Sequence, residues 1–288
     1  MMALVSVALP VFNSERFLRP AIDSIRSQTH QEWELFLVYD PCRDQSLAIC
    51  RQYEALDSRI HVIENKTGQG LSRCLNQAIE QAKGLYVARM DSDDISLPRR
   101  LELQVATMES HADVVALGCD IQIINERGEI AGERTYFYQD SQMRRQIYFF
   151  SPFCHPAIMY RKSALDQVGG YDTSYRQGED YDLYFRLGAL GKFMNLPQFL
   201  FQYRLVASSA THQNTAEIER VTIGIREKYK NAPGFHMGWG AALYNQVHRL
   251  SLILLSPTFR TRMFYFLRNR PWNRPWTRVL NGRGESLK

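Results

Sequence analysis

Across residues 1–118, short apolar runs alternate with helical patterns, and that alternation admits few folds. A chain that leaves a strand into a helix and returns as another strand builds a largely parallel sheet with helices on its faces. Strands are expected at Val5–Leu9, Leu35–Val38, Ile60–Ile63, Leu85–Met90 and Val114–Leu117. Phe17, Ala21 and Ile25 recur every four residues and mark one helix face, with Pro20 leaving the start of that helix open. Leu71, Leu75, Ala78 and Ala82 mark a second helix. A third is expected to take Ser96 as its N-cap and Pro98 in its first turn, burying Leu101, Val105 and Met108.

Beyond residue 118 the pattern is less regular. Asn125-Glu126-Arg127-Gly128 reads as a hairpin turn between Ile121–Ile124 and a short strand. Ala157–Tyr160 reads as a strand, and Asp180–Leu190 as a helix with Leu183, Leu187 and Leu190 on one face. Phe193–Tyr203 is extended, with Pro197 implying an edge or a break. From about Ser209 the pattern turns helical and basic. The expected class is α/β, a mixed and mostly parallel sheet flanked by helices. The cleanest boundary lies near residue 215, between a body at 1–214 and an extension at 215–288.

Composition narrows the function classes. With 45% hydrophobic residues the chain is an ordered globular protein. The five cysteines are odd in number and form no CxxC pair, which argues against a disulfide framework and a cysteine zinc site and fits a reducing compartment. The N-terminal MMALVSVALPVF has no basic lead and reads as a buried strand, not a signal peptide. No uncharged apolar stretch approaches the roughly 18 residues of a membrane span, so a cytoplasmic location is expected, with room for peripheral membrane attachment. The net charge of +5 conceals an asymmetry. Residues 215–288 carry 13 Lys/Arg against 4 Asp/Glu, a net of +9, while residues 1–214 carry 22 against 26, a net of −4.

The chemistry points first to Asp91-Ser92-Asp93-Asp94, directly after the apolar run LYVARM. Three carboxylates in four residues repel one another unless a cation neutralises them. Magnesium and manganese take such oxygen ligands, and ligands of open α/β sheets gather at the carboxyl ends of strands. A polar turn leading into a helix cap explains the same residues without a metal.

The segments VSVALPVFNSERFLRPAIDSIRSQT, ELFLVYD, NKTGQGLSRCLNQAI and ARMDSDDISLPRRLELQ resemble, in order and spacing, the family 2 glycosyltransferases of GT-A fold. The resemblance resumes at FCHPAIMYRKSALDQVGGYD and RQGEDYDLYFRLGALGK and reaches about residue 209. It implies a Rossmann-like nucleotide-binding half at 1–118 and an acceptor-binding half at 119–214. It implies that Pro10, Val11, Asn13 and Glu15 line the nucleotide pocket, and that Asp40 accepts from the uracil imide. Gly68 and Asn76 fall where the backbone approaches the nucleoside, and Asp91 with Ser92 is placed at the nucleotide. Asp93 and Asp91 match the DxD motif for a divalent cation (Mn2+ or Mg2+), Asp180 the catalytic base, and Glu179 an acceptor-orienting or structural neighbour. His155 and Arg204 are placed on the acceptor side.

Each position has an ordinary alternative: a cap at Asn13-Ser14, a turn at Asp40-Pro41, a helix start at Glu179-Asp180, a core histidine at His155. Gly68-x-Gly70 is too short for a dinucleotide fingerprint, since position 73 is Arg. The sequence also departs from the family. Tyr39 stands where relatives often carry a second acid, and Val206 where many carry a metal-side histidine, a ligand that is missing unless His212 substitutes. Gln202-Tyr203-Arg204-Leu205 is not the QxxRW signature of processive synthases, which favours transfer of a single sugar.

In residues 235–279, Trp239, Phe259, Phe264, Tyr265, Phe266, Trp272 and Trp276 interleave with arginines. That pattern suits an anionic membrane surface beside a glycan or lipid-linked acceptor, or equally a packed helical subdomain. No nucleic-acid motif accompanies the basic residues, so nucleic acid is not an expected partner. The leading expectation is an inverting transfer from a nucleotide-sugar donor, UDP-linked by preference. The rivals are a catalytically impaired binding relative and a sugar-phosphate nucleotidyltransferase, whose glycine-rich basic loop is missing at Pro10–Asn13.

Overall fold

The computed structural model describes residues 3–206, 215–256, 259–260 and 277–279. Four parallel strands, β1 (Val5–Val11), β2 (Trp33–Tyr39), β3 (Ile60–Glu64) and β4 (Tyr86–Arg89), lie in the spatial order 3-2-1-4. β1 and β2 are apolar almost throughout, because helices cover both faces of the sheet. Val5, Val7, Leu9 and Val11 join a core with α1 (Leu18–Arg26), α2 (Ser46–Leu56) and, beyond α3 (Leu71–Gln81), α4 (Arg100–Ser110). Ala8, Phe36 and Val38 join the other core, with Leu75, Ala78 and Ile79 of α3.

The sheet continues through antiparallel strands. β5 (Ile95–Ser96) is a short outlier, and β6 (Val114–Ile124) turns back through β7 (Ile130–Arg134). After α5 (Asp140–Gln146) and a tight turn at His155–Ala157, β8 (Met159–Arg161) inserts between β4 and β6. α6 (Lys162–Val168) and α7 (Glu179–Gly188) lead into β9 (Lys192–Arg204), parallel to β6 and paired with β5. α8 (Thr215–Lys228) and α9 (Trp239–Leu254) follow, and β10 (Thr277–Val279) adds to β7. Ile225, Phe235, Met237 and Ala241 enter the second core, so the extension is packed on the body at least that far.

Several expectations need correction. Ile121–Ile124 is not a separate strand: β6 runs unbroken through residue 118 to Ile124 before the expected turn, where the Gly128 N–H bonds the Asn125 carbonyl at 3.0 Å. Ser96 is not an N-cap. It lies in β5, and the N–H of Leu101 in the first turn of α4 is capped instead by Gln28 Oε1 at 3.0 Å, a residue just beyond α1. Pro20 falls inside the first turn of α1, where backbone N–H groups have no intrahelical acceptor, so it is accommodated. Leu190 lies beyond the end of α7 and is exposed, as is Leu71. Pro197 sits where the β6–β9 register slips, between the Leu196–Cys119 and Phe199–Asp120 pairs.

Candidate functional site

Strand order reverses around β1, since β2 follows on one side and β4 on the other. Such a switch point leaves a crevice outside the carboxyl ends of the strands. Pro10 and Val11 end β1 there, and the next loop carries Asn13 at φ +50°. Asp91–Asp94 follow β4, and the two loops meet where the Ser14 and Ser92 hydroxyls approach to 2.5 Å. Glu15 ties the same loop to the start of α2, accepting the Gln45 N–H at 3.0 Å.

Asp40 directly follows β2 and is buried. Its two carboxylate oxygens accept the N–H groups of Gln69 and Gly70 at 2.8 and 3.0 Å. Gly70, at φ +80°, lets the chain enter α3 with that N–H turned to the acid, a conformation any side chain would strain. Gly68 is thereby held two residues away, over Asp40. Tyr39 turns to its own loop, its hydroxyl accepting the Cys42 N–H at 3.0 Å.

Asn76, expected beside the nucleoside, is engaged by the backbone of Tyr171. Its amide donates to the Tyr171 carbonyl and accepts from the Tyr171 N–H, both at 2.8 Å. A Cβ on Gly170 would stand 2.5 Å from Asn76 Oδ1, so the glycine makes this clamp possible.

The acidic loop is compressed. One oxygen from each of Asp91, Asp93 and Asp94 falls within 4.8 Å of the others. Burial first, and repulsion from Asp91 second, push Asp93 up to about 6. Asp94 is fully buried and driven well above the carboxylate range by burial, then by Asp91 and Asp93. Its Oδ1 accepts the Arg204 N–H at 2.7 Å, while Oδ2 has no partner. Arg204, expected on the acceptor side, braces this loop. Its Nε donates to the Asp93 carbonyl at 2.7 Å, Nη1 to Asn125 at 3.0 Å, and its guanidinium lies over the Phe17 ring.

Arg89 is the last residue of β4, and local sequence pattern alone assigns it no role. Its signal was available: a cation inside an otherwise apolar strand. It is buried, its Nη2 pairs with Asp91 at 2.6 Å, and its Nε and Nη1 have no partner. Burial works against its charge, but Asp91, Tyr171 and Asp94 outweigh that and hold it more firmly protonated than usual.

Arg89 also acts on a second acidic group, at the N-terminus of α7. Burial and then Asp180 push Glu179 up to about 7, with Arg89 pulling down and Asp91 pushing up. Burial raises Asp180, opposed by the Tyr181 N–H, Arg89 and the Tyr184 hydroxyl. Asp180 Oδ1 accepts that N–H at 2.8 Å, and Oδ2 accepts from Tyr184 at 3.3 Å. A helix N-terminus favours carboxylates, so the raised values show that burial wins. His155 stands by the same tyrosines, its Nε2 2.8 Å from the Tyr171 hydroxyl, and burial followed by Arg89 keeps it neutral. His212 and the aromatic residues Phe264, Tyr265, Phe266, Trp272 and Trp276 lie outside the described residues, as does the change of pattern at Ser209.

A doubly wound parallel half, extended by antiparallel strands and carrying an acidic loop at its switch point, is the architecture of the GT-A glycosyltransferases. Structural likeness agrees: S. aureus TarS 1–349 in complex with UDP-GlcNAc superposes with a TM-score of 0.63 at 21% identity, over 80% of this chain and 67% of that one. Against the longer TarS chain the match spans 40% of its length. The family model for glycosyl transferase family 2 matches residues 6–169, and the chain belongs to that family. It is 38% identical to the putative glycosyltransferase EpsE of Bacillus subtilis (strain 168) over 206 residues, 69% of this chain and 72% of that one. It is 32% identical to the O-antigen biosynthesis glycosyltransferase WbnJ of Escherichia coli over 234 residues, 79% and 89% of the two chains. The chain is a glycosyltransferase.

Proposed function

We propose that the chain moves one sugar from a UDP-sugar to an acceptor hydroxyl with inversion at the anomeric carbon, in building a cell-surface polysaccharide or lipid-linked glycan. The observation that carries the reading is the pair of acidic groups, Asp91–Asp94 and Glu179–Asp180, that share the field of one buried cation, Arg89. The O-antigen role in the name of WbnJ and the UDP-GlcNAc bound to TarS support the acceptor class and the nucleotide.

Asp91 and Asp93 offer hard oxygens close together, and at Asp93 burial and repulsion from Asp91 disfavour charge, which suits the pair to Mg2+ or Mn2+. A cation held there neutralises the charge that develops on a leaving diphosphate. The chain's own residues do the rest. The loops at Pro10, Val11, Asn13, Glu15, Ser92 and Gly68 line the nucleotide side, and Asp40 retains acceptor capacity for the uracil imide. Asp180 takes the proton of the acceptor hydroxyl as that oxygen bonds to the anomeric carbon and the bond to the diphosphate oxygen breaks. Glu179 and neutral His155 flank the acceptor. Residues 1–118 serve the donor and 119–214 the acceptor, with residues 215–288 as an appended unit whose 235–279 stretch meets an anionic membrane surface. No helix among the described residues is long and apolar enough to cross a membrane.

The test is stereochemical. Proton NMR of a single-turnover product from an α-linked UDP-sugar should show a β-linkage, and retention of configuration would reject Asp180 as a base acting on the acceptor.

A further inference from the structure

α9 is built inside out. Its fully buried positions carry small or polar residues, Ala241, Asn245 and Ser251, beside the Tyr244 ring packed on Phe149, and Asn245 donates to the Ile223 carbonyl of α8. Its large apolar side chains face outward. Trp239 is 86% exposed and Ile253 79%, with Leu243, Val247, Leu250 and Leu254 exposed along the same helix. An ordinary surface helix does the reverse, and a contiguous apolar face of this kind marks an interaction surface.

The charges that α9 and the residues after it bring to this face are all of one sign. Arg249 is the only Asp, Glu, Lys or Arg in α9, and residues 239–279 contain seven arginines and no acidic residue. Arg220 of α8 and Arg249 of α9 line a crevice of about 210 Å³ together with Ile223, Gly224 and Leu252. Neither arginine pairs with a carboxylate among the described residues.

We propose that this face is the membrane-docking surface of the enzyme: the α9 stripe enters an anionic bilayer, and Arg220 and Arg249 take a lipid phosphate in the crevice between α8 and α9. This names the surface through which the membrane contact proposed above is made, and it rests on that reading. Charge selects this occupant over the others. A second copy docked face to face across a two-fold axis would set these same unpaired arginines against each other. Residues 261–276 carry Arg262, Arg268, Arg270 and Arg274 and no acidic residue, so they cannot neutralise the crevice either. A bilayer of anionic lipid supplies apolar depth for the stripe and phosphate for the arginines together.

The placement also serves the reaction. α8 is braced against the segment that carries Glu179 and Asp180. Its Val221 and Ile225 stand 3.1 and 3.5 Å from where a side chain on Gly178 would begin, and Lys228 bonds Asp182 of α7 at 2.8 Å. Docking through α8 and α9 therefore fixes the catalytic helix relative to the bilayer that would hold a lipid-linked acceptor.

The experiment is co-sedimentation of the full chain with vesicles of phosphatidylcholine alone or mixed with phosphatidylglycerol, at low and high salt. Binding to the mixed vesicles should exceed binding to phosphatidylcholine at least tenfold and weaken with salt. Leu243→Glu with Ile253→Glu should abolish it, and Arg220→Glu with Arg249→Glu should remove the preference for phosphatidylglycerol. Thermal stabilisation by UDP, read in parallel, reports the nucleotide site alone. Vesicle binding absent, or unchanged in both variants, while UDP still stabilises, overturns the docking surface and leaves glycosyl transfer standing. Lipid-free dimerisation in the ultracentrifuge that Leu243→Glu abolishes would assign the face to a second copy, and also overturns it.

Discussion

Two groups of carboxylates lie within the field of Arg89, and they are held by opposite means. Asp91–Asp94 is gripped by positive charge: Arg89 pairs with Asp91, and Arg204 braces the loop through the backbone of Asp93 and the carboxylate of Asp94. Glu179 and Asp180 have no ion pair among the described residues, and Asp180 is oriented by an N–H and a tyrosine hydroxyl. In both groups burial raises proton affinity. In the proposed reaction the strand-end loop, already crowded with acid, is the one that would hold the cation. At the helix end, Asp180 is oriented by neutral donors, the setting the proposed base requires. Residue type is the same in both, and the surroundings separate the roles.

The sharpest way to break that distinction is at Asp180. Asp180→Asn should lower kcat by about 10²–10⁴-fold while UDP affinity stays unchanged, since a base is lost and the nucleotide site is untouched. Steady-state kinetics beside UDP titration calorimetry checks it. A loss of UDP affinity as large as the loss of rate would merge the two groups into one site. Arg89→Leu should destabilise the fold by about 3–5 kcal/mol, because it strands a partly buried Asp91 without its cation. Chemical denaturation measures this, and Mn2+ should restore part of the loss.

Glu179 sharpens the comparison through pH. Its folded value of about 7 lies above the ordinary 4.5, so the native state keeps a proton that the unfolded chain releases. Stability present below about pH 4.5 is therefore lost as pH rises towards 7. Glu179→Gln should flatten that fall by about 2 kcal/mol between these limits, a figure reduced from the full shift because Asp180 titrates with it. Thermal melts across pH decide it, and an unaltered profile counts against the raised value. Asn76→Ala should cost about 1–2 kcal/mol of stability and leave UDP affinity alone, since both ends of the amide serve Tyr171.

The parallel half was legible because strands covered on both faces leave continuous apolar runs, as Val5–Val11 and Trp33–Tyr39 do. β6 was misread as two pieces because its polar Asp120 mimics a break. Asp120 is in fact buried, accepting from the Tyr136 N–H and the Tyr138 hydroxyl at 2.9 Å. Ser96 looked like a cap because the true cap, Gln28, lies 73 residues before the N–H it serves. In the site, the acidic positions could be found from local pattern. What Asn76 and Arg204 do could not, since their partners Tyr171 and Asp94 are brought to them only by tertiary folding. Arg89 was overlooked for the same reason: its meaning depends on what surrounds it.

The most direct test of the cation at Asp91 and Asp93 is the thermal shift produced by UDP with and without Mn2+, in the native chain and in Asp93→Asn. UDP should stabilise the native chain strongly only when Mn2+ is present, and the variant should lose that dependence. Equal stabilisation by UDP without the cation, or a full Mn2+-dependent shift in Asp93→Asn, would contradict the account.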